Sequence, residues 1–156
     1  MKKRVLVADD DPSIRESLKK LLENNGYEVL LAEDGEAAVQ RITDEKLDLL
    51  LLDLEMPKLD GWDVFEGVRS RCSLLPVIMI TGLAAELETR LIPGLDALIE
   101  KPIEVPALLK QVEDLLSQNP AQRQMRRNGE SLSGSGVSGS IPGYLTFLNR
   151  DCPGSS

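Results

Sequence analysis

Apolar positions between residues 4 and 118 fall into two alternating patterns. Short unbroken runs occur at Val5-Leu6-Val7-Ala8, Val29-Leu30-Leu31, Leu49-Leu50-Leu51-Leu52, Val77-Ile78-Met79-Ile80 and Ala97-Leu98-Ile99. Between them the apolar residues take helical spacing. Ile14, Leu18, Leu21 and Leu22 line one face, with Asp11 and Pro12 placed as N-cap and first helical residue and Gly26 as the stop. Ala37, Ala38 and Ile42 line a second face, and Val64, Phe65 and Val68 a third, after Gly61. Leu87 and Leu91 mark a short fourth helix ended by Pro93-Gly94, and Val105, Leu108, Leu109, Val112, Leu115 and Leu116 a fifth. Trp62 is expected to pack the third helix against the sheet.

Five repeats of strand then helix predict an α/β fold. Strands that are apolar along their whole length are buried on both faces, as in a parallel sheet covered by helices on each side. Right-handed crossovers leave few topologies, and a doubly wound five-stranded parallel sheet of order 2-1-3-4-5 is the expectation.

After Ser117 the periodicity stops. In residues 128–143, ten of sixteen are Gly or Ser, a composition that cannot offset its ordering entropy by burial. The expected organisation is a domain over 3–118 and a flexible Gly/Ser-rich tail over 119–156 without an output domain. The apolar cluster Tyr144-Leu145-Thr146-Phe147-Leu148 is the part of that tail able to dock weakly.

Charge sharpens this division. The chain of 156 residues carries a net charge of −8. Residues 1–118 hold 14 basic and 24 acidic side chains, while residues 119–156 hold four basic and two acidic. Such an acidic domain argues against nucleic acid as a partner, because phosphate contacts need Lys and Arg. Arg123, Arg126 and Arg127 read as a solvated basic run. No apolar run approaches the ~20 residues of a membrane span, so the expectation is a cytoplasmic protein with no membrane partner. There is no histidine, which excludes histidine-based nucleophile systems and imidazole metal sites. Two cysteines, Cys72 and Cys152, are too few for a zinc cluster or disulfide scaffold.

In a parallel sheet the loops leaving the strand C-termini form the ligand crevice. Here those exits read Asp9-Asp10-Asp11, Asp53 followed by Leu54-Glu55-Met56-Pro57, Thr81-Gly82 and Glu100-Lys101-Pro102. Asp9, Asp10 and Asp53 would repel one another unless a cation sat among them. Mg²⁺ suits this set, since it takes oxygen ligands and keeps several waters; a backbone carbonyl near Glu55 is a candidate further ligand. A phosphoryl group at that metal would find the Lys101 ammonium and the Thr81 hydroxyl for its remaining oxygens. Asp53 is then placed as a carboxylate nucleophile forming an acyl phosphate. Asp11 reads as a helix cap, and the Glu55 side chain as a solvent-facing group tuning access to Asp53.

The segments VLVADDDPSIR (5–15), LDLLLLDLEMPKLDGWDV (47–64), PVIMITG (76–82) and LIEKPI (98–103) together resemble the receiver domains of two-component response regulators. The resemblance implies a flavodoxin-like fold, Asp53 as phospho-acceptor and Asp9 and Asp10 as holders of Mg²⁺. It also implies Thr81 as switch hydroxyl, Lys101 as phosphate-binding lysine and a cis Lys101–Pro102 bond. The implied donor is a phosphohistidine on a sensor histidine kinase or phosphotransfer protein, and the implied recipient of the signal is a downstream effector protein. The chain would then catalyse only its own phosphorylation and dephosphorylation. Two features depart from the family: Leu98 stands where an aromatic residue is usual, and the span from Thr81 to Gly94 is about two residues short.

Two other readings compete. Asp9-x-Asp11, Thr81 and Lys101 imitate motifs of haloacid-dehalogenase-like phosphatases, which would make Asp9 the nucleophile, although no acidic pair follows Lys101 at a strand end. A degenerate receiver would bind partners without being phosphorylated. For the tail, cutting the chain after Gln118 should leave the thermal unfolding midpoint in place. A large drop in that midpoint would show that residues 144–148 dock on the domain.

Overall fold

Four consecutive leucines, Leu49–Leu52, are completely buried at the centre of the molecule because the strand they form is covered on both faces. The structure is a computed structural model that describes residues 2–56, 61–71, 75–82 and 95–118. Its elements run β1 (Arg4–Ala8), α1 (Pro12–Asn24), β2 (Glu28–Ala32), α2 (Gly35–Asp44), β3 (Leu49–Asp53), α3 (Gly61–Arg71), β4 (Val77–Thr81), β5 (Ala97–Glu100) and α4 (Val105–Ser117). All neighbouring strands are parallel, in the order β2-β1-β3-β4-β5. This is the topology expected from the strand–helix repeat. The short helix expected around Leu87 and Leu91, the tail over 119–156, and both cysteines lie outside the described residues.

The alternation of side chains along each strand divides the interior into two cores. Leu6, Ala8, Leu50, Leu52 and Met79 face Ala38, Val39 and Ile42 of α2 and Val64, Phe65 and Val68 of α3. Val5, Val7, Leu49, Leu51, Ile78 and Ile80 face Leu18 and Leu22 of α1 and Leu108, Val112 and Leu115 of α4. Burying one such side chain contributes roughly 1.5–3 kcal/mol. Burial on both faces holds for β1, β3 and β4; the edge strands are less covered, and Leu30, Leu31, Ala97 and Leu98 are half-buried. Val105, expected on the apolar face of its helix, is instead 44% exposed. It is the first residue of α4, before the helix has come down onto the sheet.

Local chemistry sets the helix ends. The Asp11 carboxylate accepts a hydrogen bond from the Ser13 N–H at 2.9 Å, with Pro12 in the first turn. Gly26 leaves α1 at φ 89°, a conformation that costs glycine least. Buried Asp34 caps α2 by accepting from the Ala37 N–H at 2.8 Å, a role the apolar pattern did not reveal. Trp62 is half-buried and meets Phe65 edge-on, with ring centroids 6.4 Å apart. Among the described residues, no helix is long and apolar enough to cross a membrane.

The start of α3 is pressed against the end of β3. The Gly61 N–H donates to the Leu54 carbonyl at 3.2 Å, and a Cβ at this position would lie 2.5 Å from the Asp53 carbonyl oxygen and 2.6 Å from the Leu54 Cα. Those neighbours are backbone and cannot rotate away. Gly61→Ala should therefore lower stability by roughly 2 kcal/mol, read as an earlier urea midpoint. An unchanged midpoint would show that α3 withdraws from β3 without cost.

Candidate functional site

Strand register brings the acidic residues together. Ala8 pairs with Leu52, so the next residues, Asp9 and Asp53, leave adjacent strands at the same level. Asp53 itself pairs with Ile80, which places Thr81 one residue further along β4. Thr81 pairs in turn with Glu100, and the Lys101 N–H donates to the Thr81 carbonyl at 2.9 Å. Four strand ends thus converge on one rim, which explains why residues 92 positions apart in sequence come together.

Asp9, Asp53 and Thr81 are each only 1% exposed. The Lys101 ammonium reaches over them, with Nζ 3.2 Å from Asp53 Oδ2 and 3.8 Å from Asp9 Oδ2. The Lys101–Pro102 peptide bond is cis. Backbone N–H groups hold the other carboxylate oxygens: Asp11 donates to Asp9 Oδ1 at 2.9 Å and Glu55 donates to Asp53 Oδ1 at 3.0 Å. The Thr81 hydroxyl donates to Glu55 Oε1 at 3.4 Å. Glu55 is exposed, so this contact stands at the solvent edge of the rim.

Burial dominates the electrostatics. It pushes the Asp9 carboxyl up from its ordinary 3.8 to about 6, against the Asp11 N–H and with help from the neighbouring Asp53 charge. Asp53 is also raised by burial, opposed by the Glu55 N–H and by Lys101. Burial works to lower Lys101, but the Asp53 and Asp9 carboxylates outweigh it and leave the ammonium pKa above its usual value. One lysine therefore faces two buried carboxylates and does not neutralise both.

The residues fit a divalent cation. One oxygen each from Asp9, Asp10 and Asp53 lie within 4.8 Å of one another. Asp9 Oδ2 is fully buried yet accepts no hydrogen bond, with the Lys101 ammonium no nearer than 3.8 Å, which leaves a buried carboxylate oxygen incompletely compensated. Asp10 is exposed and closes the cluster from the solvent side. An all-oxygen set with an open side suits Mg²⁺.

Six of the residues singled out at the strand exits lie at this rim. Asp9, Asp10, Asp53, Thr81 and Lys101 form it directly, and Glu55 contributes through its backbone N–H to Asp53 and its carboxylate to Thr81. Leu98 is half-buried, pairing with Met79 and packing on the core shared with α2 and α3. Two contributors escaped the sequence reading. Gly61 shows its close approach only in three dimensions. Arg15, one turn into α1, donates from Nη1 to the Asp9 carbonyl at 2.8 Å, a contact that no spacing in the sequence marks.

Known proteins resemble this chain in sequence and fold. The family described as the response regulator receiver domain matches residues 5–113. The Response regulator MprA of Mycobacterium ulcerans is 40% identical over 120 residues, covering 74% of this chain and 51% of that protein. The Probable transcriptional regulator ycf27 of Cyanophora paradoxa is 40% identical over 135 residues, covering 84% of this chain and 56% of that protein. The chain thus spans about half the length of the curated relatives it matches. Among solved structures, a CheY-like response regulator receiver domain protein from Methanospirillum hungatei JF-1 aligns with TM-score 0.69 and 30% identity, covering 81% of this chain and 99% of that one. The response regulator TrrA of Thermotoga maritima, in complex with Mg²⁺-BeF, aligns with TM-score 0.66 and 34% identity, covering 72% and 98% respectively.

The raised Asp9 carboxyl makes stability depend on pH. Between about 4 and about 6 the folded chain keeps a proton on Asp9 that the unfolded chain has released. Metal-free stability should accordingly fall as pH rises through that window, by up to roughly 3 kcal/mol, and level off above it. Urea titrations in chelator measure this, and Asp9→Asn should flatten the slope. A stability that climbs through the window would contradict the assignment.

Proposed function

The chain belongs to the response regulator receiver domains, and from that premise we propose that it accepts a phosphoryl group on Asp53 and thereby switches its contacts with a partner. The observation that carries this reading is the 3.2 Å approach of Lys101 Nζ to the buried Asp53 carboxylate, beside Asp9 and Asp10. A buried carboxylate next to one ammonium is a nucleophile whose charge is partly desolvated and whose direction is set.

In the proposed reaction an Asp53 oxygen attacks the phosphorus of a phosphohistidine on a sensor histidine kinase or phosphotransfer protein. The phosphorus–nitrogen bond breaks, its electron pair returns to the imidazole, and an acyl phosphate forms on Asp53. Bound Mg²⁺, held by Asp9, Asp10 and Asp53 with a backbone carbonyl near Glu55, would offset charge on the incoming phosphoryl oxygens. The Glu55 N–H keeps the Asp53 carboxylate oriented during attack. Lys101, already at Asp53 Oδ2, moves onto a phosphoryl oxygen as charge shifts outward. The Thr81 hydroxyl exchanges Glu55 for another phosphoryl oxygen, so phosphorylation changes a contact at the solvent edge. Leu98 stands at the usual aromatic position, so the change at Thr81 has no aromatic ring there to move.

The chain would catalyse only its own phosphorylation and dephosphorylation, within the cytoplasm, and pass its state to an effector protein. The Mg²⁺ reading is supported by the all-oxygen cluster and by the neighbour described in complex with Mg²⁺-BeF. The competing phosphatase reading needs Asp9 as nucleophile, yet Lys101 lies nearer Asp53 than Asp9.

Incubation with a small-molecule phosphodonor and Mg²⁺, followed by peptide mapping, should place the label on Asp53. Asp53→Asn should reduce incorporation to background, whereas Asp9→Asn should slow it and leave the label at the same residue. Undiminished labelling of Asp53→Asn, lost only when Asp9 is also replaced, would make Asp9 the nucleophile and overturn the proposal.

A further inference from the structure

We infer that Arg15 is a positioning residue for the cation site, acting through the peptide unit that joins Asp9 to Asp10; the inference rests on the Mg²⁺ reading above. Arg15 Nη1 donates to the Asp9 carbonyl at 2.8 Å. That carbonyl belongs to the link between two of the three clustered carboxylates. Its orientation sets ψ of Asp9 and the plane from which Asp10 departs.

The rest of the loop is bonded on either side of this peptide. The Asp9 N–H donates to the Ala32 carbonyl at 3.1 Å, the Asp11 N–H to Asp9 Oδ1 at 2.9 Å, and the Arg15 N–H to the Asp11 carbonyl at 3.0 Å. Asp9 is packed in the interior. Asp10 is exposed, so the direction of its carboxylate depends on the backbone it hangs from. The Arg15 bond falls on that backbone.

The choice of acceptor matters. A cation placed on a carboxylate, as Lys101 is, competes with a metal for that oxygen. A guanidinium placed on the connecting carbonyl orients the carboxylates without occupying them, and a charge-assisted bond holds the geometry more firmly than a neutral one. The half-buried Arg15 stem reaches this position beside Leu31 and Ala32, with which it lines a cavity between α1, α2 and the end of β2. A methionine can keep that apolar stem while removing the donor, and a lysine keeps charge with a single donor centre.

The test compares the full native chain with Arg15→Met and Arg15→Lys by calorimetric Mg²⁺ titration, amide NMR of residues 9–11 and metal-free thermal unfolding. Arg15→Met should bind Mg²⁺ about tenfold more weakly, the size of effect expected for a residue that orients a ligand. Arg15→Lys should recover most of that loss, with both metal-free midpoints near the native one. Equal affinity in Arg15→Met and the native chain would overturn the inference. So would a loss of affinity in both variants that merely tracks a lowered metal-free midpoint. If the native chain itself bound no Mg²⁺, the cation reading would fail first, whereas the phosphate-labelling experiment addresses Asp53 separately.

Discussion

Two carboxylates buried side by side are the constraint around which this molecule is built. Asp9 and Asp53 leave neighbouring strands at one level, nearly removed from water. Like charges in that position repel and are poorly solvated, so each needs a donor or a cation. Lys101 supplies one charge from two strands away, and backbone N–H groups of Asp11 and Glu55 supply two hydrogen bonds. The compensation stops short of neutrality. Asp9 Oδ2 is left without a hydrogen bond, a shortfall that a bound cation would offset.

The surrounding scaffold serves that arrangement. Burial of Leu49–Leu52 on both faces pins β3 at the centre of the sheet, so its last residue, Asp53, is carried by the least movable strand. Close approach of Gly61 to the Asp53 carbonyl seats α3 directly against the end of β3. At the opposite end of β1, Arg4 ties Glu28 and Glu45 at 3.3 and 3.0 Å, and its N–H donates to Asp48 at 2.8 Å. The strand is thus anchored at one end and presents its carboxylates at the other.

Much of this was legible in the residues themselves. Unbroken apolar runs at β1, β3 and β4 announce a doubly covered parallel sheet, because no half-exposed strand carries leucine at four successive positions. Asp11 followed by Pro12 announces a helix start, because Asp can accept from a first-turn N–H and Pro lacks one that the first turn leaves unpaired. Less was legible where a role depends on distant neighbours. Asp34 caps α2 with a carboxylate no different in sequence from the solvated ones around it. Val105 continues an apolar helical stripe yet stands in solvent, because a stripe predicts which way a side chain faces and not how far the sheet extends beneath it.

Composition and periodicity by themselves determined the strand–helix order, the parallel sheet and the set of residues at the strand exits. They also determined that any nucleophile must do without histidine. Tertiary structure alone decided which carboxylates lose their water, that Lys101 lies nearer Asp53 than Asp9, and that Thr81 meets Glu55. It also brought Arg15 onto the peptide between two candidate ligands. The physical reason is range. Apolar patterning is a local property that repeats every two or three to four residues, whereas desolvation and ion pairing depend on strand register and helix docking between segments tens of residues apart.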